Sequence, residues 1–176
     1  MKRIPIDRAT RTSILAIGII LFFIVWGVGR TVLSLGIFNS FPEQFAGSCK
    51  IITGLKGPED LEVDWQDKLI FVSSTNRRAP ATSPDPQDGL YTLNLDNTSA
   101  APIKLDSGIK DFRPHGISLY RAPDGTLSLF AINHRASGKQ TIEVFDVKIE
   151  NGKAVLNHRS VLQDSHLIAP NDLDAF

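Results

Sequence analysis

Apolar positions along this chain follow two regimes. From Ile14 to Val28 they are almost continuous, densest at Leu21-Phe22-Phe23-Ile24-Val25-Trp26, and the eighteen residues between Arg11 and Arg30 carry no charge. A helix crossing the hydrocarbon of a bilayer needs about 20 such residues, so the pattern predicts a transmembrane helix over 12–30. After Cys49 the helical period gives way to short runs of apolar and β-branched residues separated by turn formers. These runs predict strands over 61–65, 69–74, 90–95 and 103–105, then over 117–120, 127–133, 141–149 and 154–161. Gln66-Asp67, Pro123-Asp124-Gly125 and Glu150-Asn151-Gly152 supply hairpin turns between them.

A longer period overlies the strands. Pro58-Glu59-Asp60-Leu61-Glu62-Val63 is echoed by Pro114-His115-Gly116-Ile117-Ser118-Leu119 and again by Pro170-Asn171-Asp172-Leu173-Asp174-Ala175, at a constant spacing of 56 residues. Four strands recurring with a fixed period predict propeller blades, an all-β architecture in which the first strand of each blade lines a central channel. A β-sandwich is the alternative, but it does not explain why a polar triplet recurs in phase at the start of each first strand. In a propeller those equivalent loops meet at one end of the channel, so residues distant in sequence converge.

Charge adds little. Lys plus Arg and Asp plus Glu number 19 each, which leaves no field to draw the chain to nucleic acid, and no nucleic-acid partner is expected. The basic flank of Lys2, Arg3, Arg8 and Arg11 outweighs Asp7. That asymmetry keeps 1–11 in the cytoplasm as a basic tail and makes 12–30 a signal anchor in contact with the lipid bilayer. A cleaved secretory signal ending near Gly27-Val28-Gly29 is the competing reading. Either way 31–48 is a juxtamembrane tether and 49–176 an extracytoplasmic domain, in periplasm, endoplasmic-reticulum lumen or extracellular space.

The repeated loops carry the candidate chemistry. Glu59, Asp60, Asn171 and Asp172 form an oxygen-rich set that suits a hard cation such as Ca²⁺. Neighbouring residues point to opposite sides of a strand start, which allows two ions, one at Glu59 and Asn171 and one at Asp60 and Asp172. Plain turn capping by the aspartates is the alternative. His115 stands at the ligand position of the middle loop and His134 ends the next strand, so antiparallel pairing brings the two imidazoles together. They can act as a general base with an orienting partner, or as a hydrogen-bonded pair that only supports the blade. Arg77 and Arg78 can bind a substrate anion or remain solvated loop charges, while 79–89 is a long loop of the kind that walls a site. His158 and His166 read as ordinary surface or loop residues.

With these residues in place, the chain from Cys49 onward resembles the paraoxonase/arylesterase family of calcium-dependent six-bladed propeller hydrolases. The resemblance rests on Gly57-Pro58-Glu59-Asp60-Leu61-Glu62, Pro114-His115-Gly116-Ile117-Ser118, Asn133-His134 and Pro170-Asn171-Asp172. It implies a partial six-bladed β-propeller, about two blades and the start of a third, preceded by the transmembrane helix. It implies two calcium ions in the complete propeller: a catalytic one held by Glu59 and Asn171, and a structural one held by Asp60 and Asp172 with the Ile117 carbonyl. His115 and His134 resemble the family's proposed catalytic dyad, and the implied substrate is a small-molecule aryl ester or lactone. Six blades of this period need about 336 residues. The chain is therefore expected to be a truncated N-terminal part, inactive alone, that lacks the later calcium ligands and the C-terminal cysteine with which Cys49 pairs in relatives. A non-catalytic, membrane-anchored, calcium-stabilised scaffold is the rival function.

Overall fold

The computed structural model describes residues 7–40, 42, 46–80 and 85–176. It comprises two units, dividing between Cys49 and Lys50.

The first unit contains one helix, α1, Arg8–Ser34, capped by Asp7, whose carboxylate accepts the Thr10 N–H at 2.6 Å. Its apolar side chains are exposed all round, and the helix is long and apolar enough to cross a membrane. That composition suits a membrane anchor or a signal sequence. The helix runs past position 30, so that Thr31–Ser34 of the expected tether are helical, and it ends before Gly36, at φ +65°, ahead of Pro42. Lys2 and Arg3 of the basic flank, and Phe41 and Gln44 of the tether, lie outside the described residues.

The second unit is built of two four-stranded antiparallel sheets, consistent with a partial propeller. The first sheet comprises β1 (Pro58–Asp64), β2 (Leu69–Ser74), β3 (Gly89–Asn94) and β4 (Ile103–Lys104), and the second β5 (Pro114–Arg121), β6 (Leu127–His134), β7 (Gln140–Glu150) and β8 (Lys153–Leu162). Each is a meander in which consecutive strands pair, so the chain order 1-2-3-4 is also the order across the sheet. The expected hairpin chemistry is present. Asn151 and Gly152 both take positive φ between β7 and β8, and Gly125 takes φ +88° between β5 and β6.

Alternation along the strands sends one set of side chains between the sheets. Leu69, Phe71 and Leu90 of the first sheet, with Leu105 just past β4, form one core with Ile117, Leu129, Ala131, Phe145 and Val147 of the second. Phe112 closes it edge-on against Phe145, with ring centroids 5.9 Å apart. Polar links cross the same interface. Arg121 bonds to Asp64 and Asp67 at 2.6 Å each, and the Thr75 hydroxyl donates to the Pro114 carbonyl at 2.6 Å.

The third repeat does not form a strand. Residues 170–176 form no ladder and are tied to the second sheet by the Ala175 N–H on the Ser118 hydroxyl. A strand exists only with a partner to share its hydrogen bonds, and among the described residues none pairs with this segment.

Candidate functional site

The site is positioned by two β-bulges at equivalent places. The ladder of β1 with β2 slips between Pro58 and Asp60, and that of β5 with β6 slips between Pro114 and Ile117. A bulge leaves an extra residue unpaired and re-aims its side chain. Glu59 lies in the first bulge and His115 in the second. The approach to β1 is equally constrained. Gly57, at φ +64°, packs on Thr75, where a Cβ would come within 2.4 Å of the carbonyl oxygen.

His115 is held from both ring nitrogens. Its Nδ1 is 2.8 Å from the Asn171 carbonyl oxygen, which only accepts, so Nδ1 carries the proton. Its Nε2 is 2.6 Å from Nη2 of Arg77, which only donates, so Nε2 presents its lone pair. Glu59 faces the same nitrogen at 3.3 Å and is ion-paired with Arg77. The Arg77 hydrogen bond holds the Glu59 carboxyl below its ordinary range against a smaller opposing effect of burial. The His134 ring lies 4.7 Å from that of His115 and donates from Nε2 to the Pro170 carbonyl at 3.0 Å. Burial, followed by the neighbouring His115, pushes its pKa down.

The aspartates do a different job. Asp60 accepts the Ile117 N–H at 2.8 Å, joining the first strand of one sheet to that of the next, and its other oxygen accepts the Leu61 N–H. Asp172 makes the same local bond to Leu173 N–H. Gly116 lets this third loop approach: a Cβ there would stand 2.7 Å from both the Asn171 carbonyl oxygen and the Asp172 Cα. Glu59, His115, His134 and the backbone of Pro170 and Asn171 are thus brought together, while Asp60 and Asp172 both lie against the Gly116–Ile117 backbone of β5.

The arylesterase family profile matches residues 46–176. The chain belongs to the arylesterase family. Serum paraoxonase/arylesterase 1 of Homo sapiens is 30% identical over 70% of this chain and 36% of its own length. Serum paraoxonase/arylesterase 2 of Canis lupus familiaris is 29% identical over 73% and 37%. Serum paraoxonase/lactonase 3 of Homo sapiens is 27% identical over 89% and 48%. The arylesterase-family chain therefore spans between a third and a half of the length of these relatives.

Acidic oxygen donors crowd one part of this arylesterase-family site. Burial raises the pKa of Glu62, and the carboxylates of Asp60, Asp174 and Asp172 raise it further, a crowding that a bound cation relieves. Among the described residues no three His, Cys, Asp or Glu side chains form a group that could hold an ion.

Three features escaped the sequence reading. Arg77 is half-exposed but also pairs with Glu59 and His115, and its place just past β2, where His134 ends β6, was the available signal. His158 is a surface residue as expected, but its Nε2 lies 2.9 Å from the fully buried Glu143 carboxylate and its ring packs 5.3 Å from Phe145. Glu143 itself went unnoticed because an isolated acid in an apolar strand looks solvent-facing. In the loop 79–89, residues 81–84 lie outside the described residues.

Proposed function

We propose that the complete protein is a calcium-dependent carboxylic ester hydrolase acting on aryl esters or lactones, with His115 as general base and His134 as its neighbour in the dyad. The observation that carries this reading is the placement of His115: its Nδ1 donates to the Asn171 carbonyl, which leaves Nε2 as the nitrogen that faces Arg77 and Glu59. Such a nitrogen takes a proton from water as the water oxygen attacks an acyl carbon, and returns it to the departing alkoxide. Arg77 engages the same lone pair, so base work requires this half-exposed side chain to swing aside.

Glu59 and Asn171 would hold a catalytic Ca²⁺, and Asp60, Asp172 and the Ile117 carbonyl a structural one. A divalent cation beside the dyad supplies positive charge to the developing oxyanion. His134, kept neutral by burial, adds no charge that would repel the ion. The printed names of the relatives, paraoxonase, arylesterase and lactonase, support the substrate class. We place α1 as a single-pass anchor with its N-terminus in the cytoplasm and the β-rich unit on the other side, following the basic residues Arg8 and Arg11. The proposed layout is 1–11 cytoplasmic tail, 12–30 anchor, 31–48 tether and 49–176 propeller domain.

The complete protein is expected to hydrolyse phenyl acetate and a γ-lactone, to lose turnover on chelation, and to lose about 10²-fold or more in kcat on His115→Gln with its calcium retained. Turnover indifferent to chelator overturns the calcium role. Calcium binding without any turnover in the unsubstituted protein returns the scaffold reading.

A further inference from the structure

Behind the histidine pair, and outside the site described so far, lies a buried polar chain centred on Glu143 and Asn133, both 0% exposed. One oxygen of Glu143 accepts from Asn133 Nδ2 at 3.0 Å, from the Thr141 hydroxyl at 2.7 Å and from Arg135 Nη2 at 2.7 Å. The other faces His158 Nε2 at 2.9 Å. Burial pushes the Glu143 carboxyl up, but the bonds from Asn133, Thr141 and Arg135 outweigh it and hold the group ionised.

Both amide N–H groups of Asn133 are used. Its Nδ2 also donates to the Asp111 carbonyl at 3.0 Å, and its Oδ1 accepts the Arg113 N–H at 2.9 Å. The Arg113 carbonyl in turn accepts the His134 N–H at 3.1 Å. The carboxamide therefore clamps the segment two residues before His115 to the strand end that carries His134. A carboxylate accepts and never donates, so Glu143 forces the amide nitrogen toward itself and the amide oxygen toward Arg113.

We infer that Glu143 and Asn133 are positioning residues that set the distance and facing of His115 and His134, with Glu143 acting through the orientation of the Asn133 carboxamide. A neutral amide at position 143 satisfies volume but removes the rule that fixes the Asn133 flip, and it weakens three charge-assisted bonds. The inference rests on the dyad reading given above.

The test is Glu143→Gln in the complete protein, read by side-chain ¹H–¹⁵N spectra of labelled histidine and by kcat and KM. Val147→Ala, which opens a cavity elsewhere on β7, serves as a stability control. The His115 and His134 ring signals are expected to shift or broaden in Glu143→Gln and to stay in place in Val147→Ala. The same substitution is expected to lower kcat about 10- to 100-fold with KM little changed, the scale of a small misplacement of reacting groups. Signals of His115 and His134 that stay put while only His158 moves overturn the inference, and so does a perturbation equal to that of Val147→Ala. Should Glu143→Gln fail to fold, Thr141→Val removes one donor from the same oxygen; a smaller shift of the same two rings supports the inference and no shift overturns it. Turnover that survives His115→Gln defeats the dyad reading, and the ring signals still decide this one.

Discussion

Gly57 and Gly125 both have positive φ, yet they answer to different constraints. At Gly125, with φ +88°, no atom lies within 4 Å of an added Cβ, so the only penalty for a side chain is conformational. At Gly57 that penalty is joined by a clash with the Thr75 carbonyl, next to the Thr75 N–H that bonds to the Gly57 carbonyl. Gly125→Ala is expected to destabilise the domain by about 1 kcal/mol. Gly57→Ala, combining strain with a backbone clash, is expected to cost about 3 kcal/mol or more. Urea denaturation of the two variants checks the difference, and equal midpoints would refute the close approach. The 56-residue recurrence pointed to Glu59 and His115 as site residues, because they hold the same place in two loops expected to converge. Arg77 and Glu143 were illegible at this scale, since a charge on a loop and a charge in a strand read as solvated until their partners are known.

At the scale of elements, the strands were legible almost to the residue because periodicity and turn chemistry act over a few neighbours. The expected strand 69–74 is β2 as observed, and 127–133 differs from β6 by one residue. β1 and β5 start earlier than expected because their opening prolines and bulges still pair. What joins elements is a different matter. Thr75 follows β2 and its hydroxyl reaches Pro114 at the head of β5, a link across 39 residues with no local signature. Thr75→Val keeps the shape and leaves the Pro114 carbonyl without this donor, at a cost of about 1–3 kcal/mol. The loss should appear as a lower thermal midpoint together with faster amide exchange at the head of β5, and unchanged exchange there would show that the link does not hold the strand.

At the scale of the whole molecule, the acids of the loops set how the fold answers to pH. Asp85 accepts from Asn76, Lys56 and Gln87, and these bonds, that of Asn76 foremost, lower its pKa from 3.8 to about 2. A carboxyl lowered on folding contributes stability that is complete above its unfolded pKa and vanishes as pH falls through its folded one. The melting temperature is therefore expected to fall as pH drops from about 4 to about 2, and Asp85→Asn to flatten that stretch. His134 acts in the same direction at higher pH. Its lowered pKa means that the unfolded chain takes up a proton first, so its contribution is present above the ordinary histidine pKa and declines below it. A profile that Asp85→Asn leaves unaltered would assign the acid limb to other groups.

Hydrophobic period, turn residues and the 56-residue repeat, all of which work over short range or by simple recurrence, were enough to read an apolar N-terminal helix, two four-stranded units and three homologous loops. Burial was not readable in that way. Leu61 and Ile117 occupy the same place in the repeat, yet Leu61 is 59% exposed and Ile117 is 1% exposed, because the first sheet covers the face on which Ile117 lies. The same holds for polar groups. Which nitrogen of His115 bears the proton, which cation faces Glu59, and which way Asn133 turns all depend on acceptors and donors brought from 10 to 56 residues away. Hydrogen bonds are directional and act only at contact, so these were decided by tertiary structure alone.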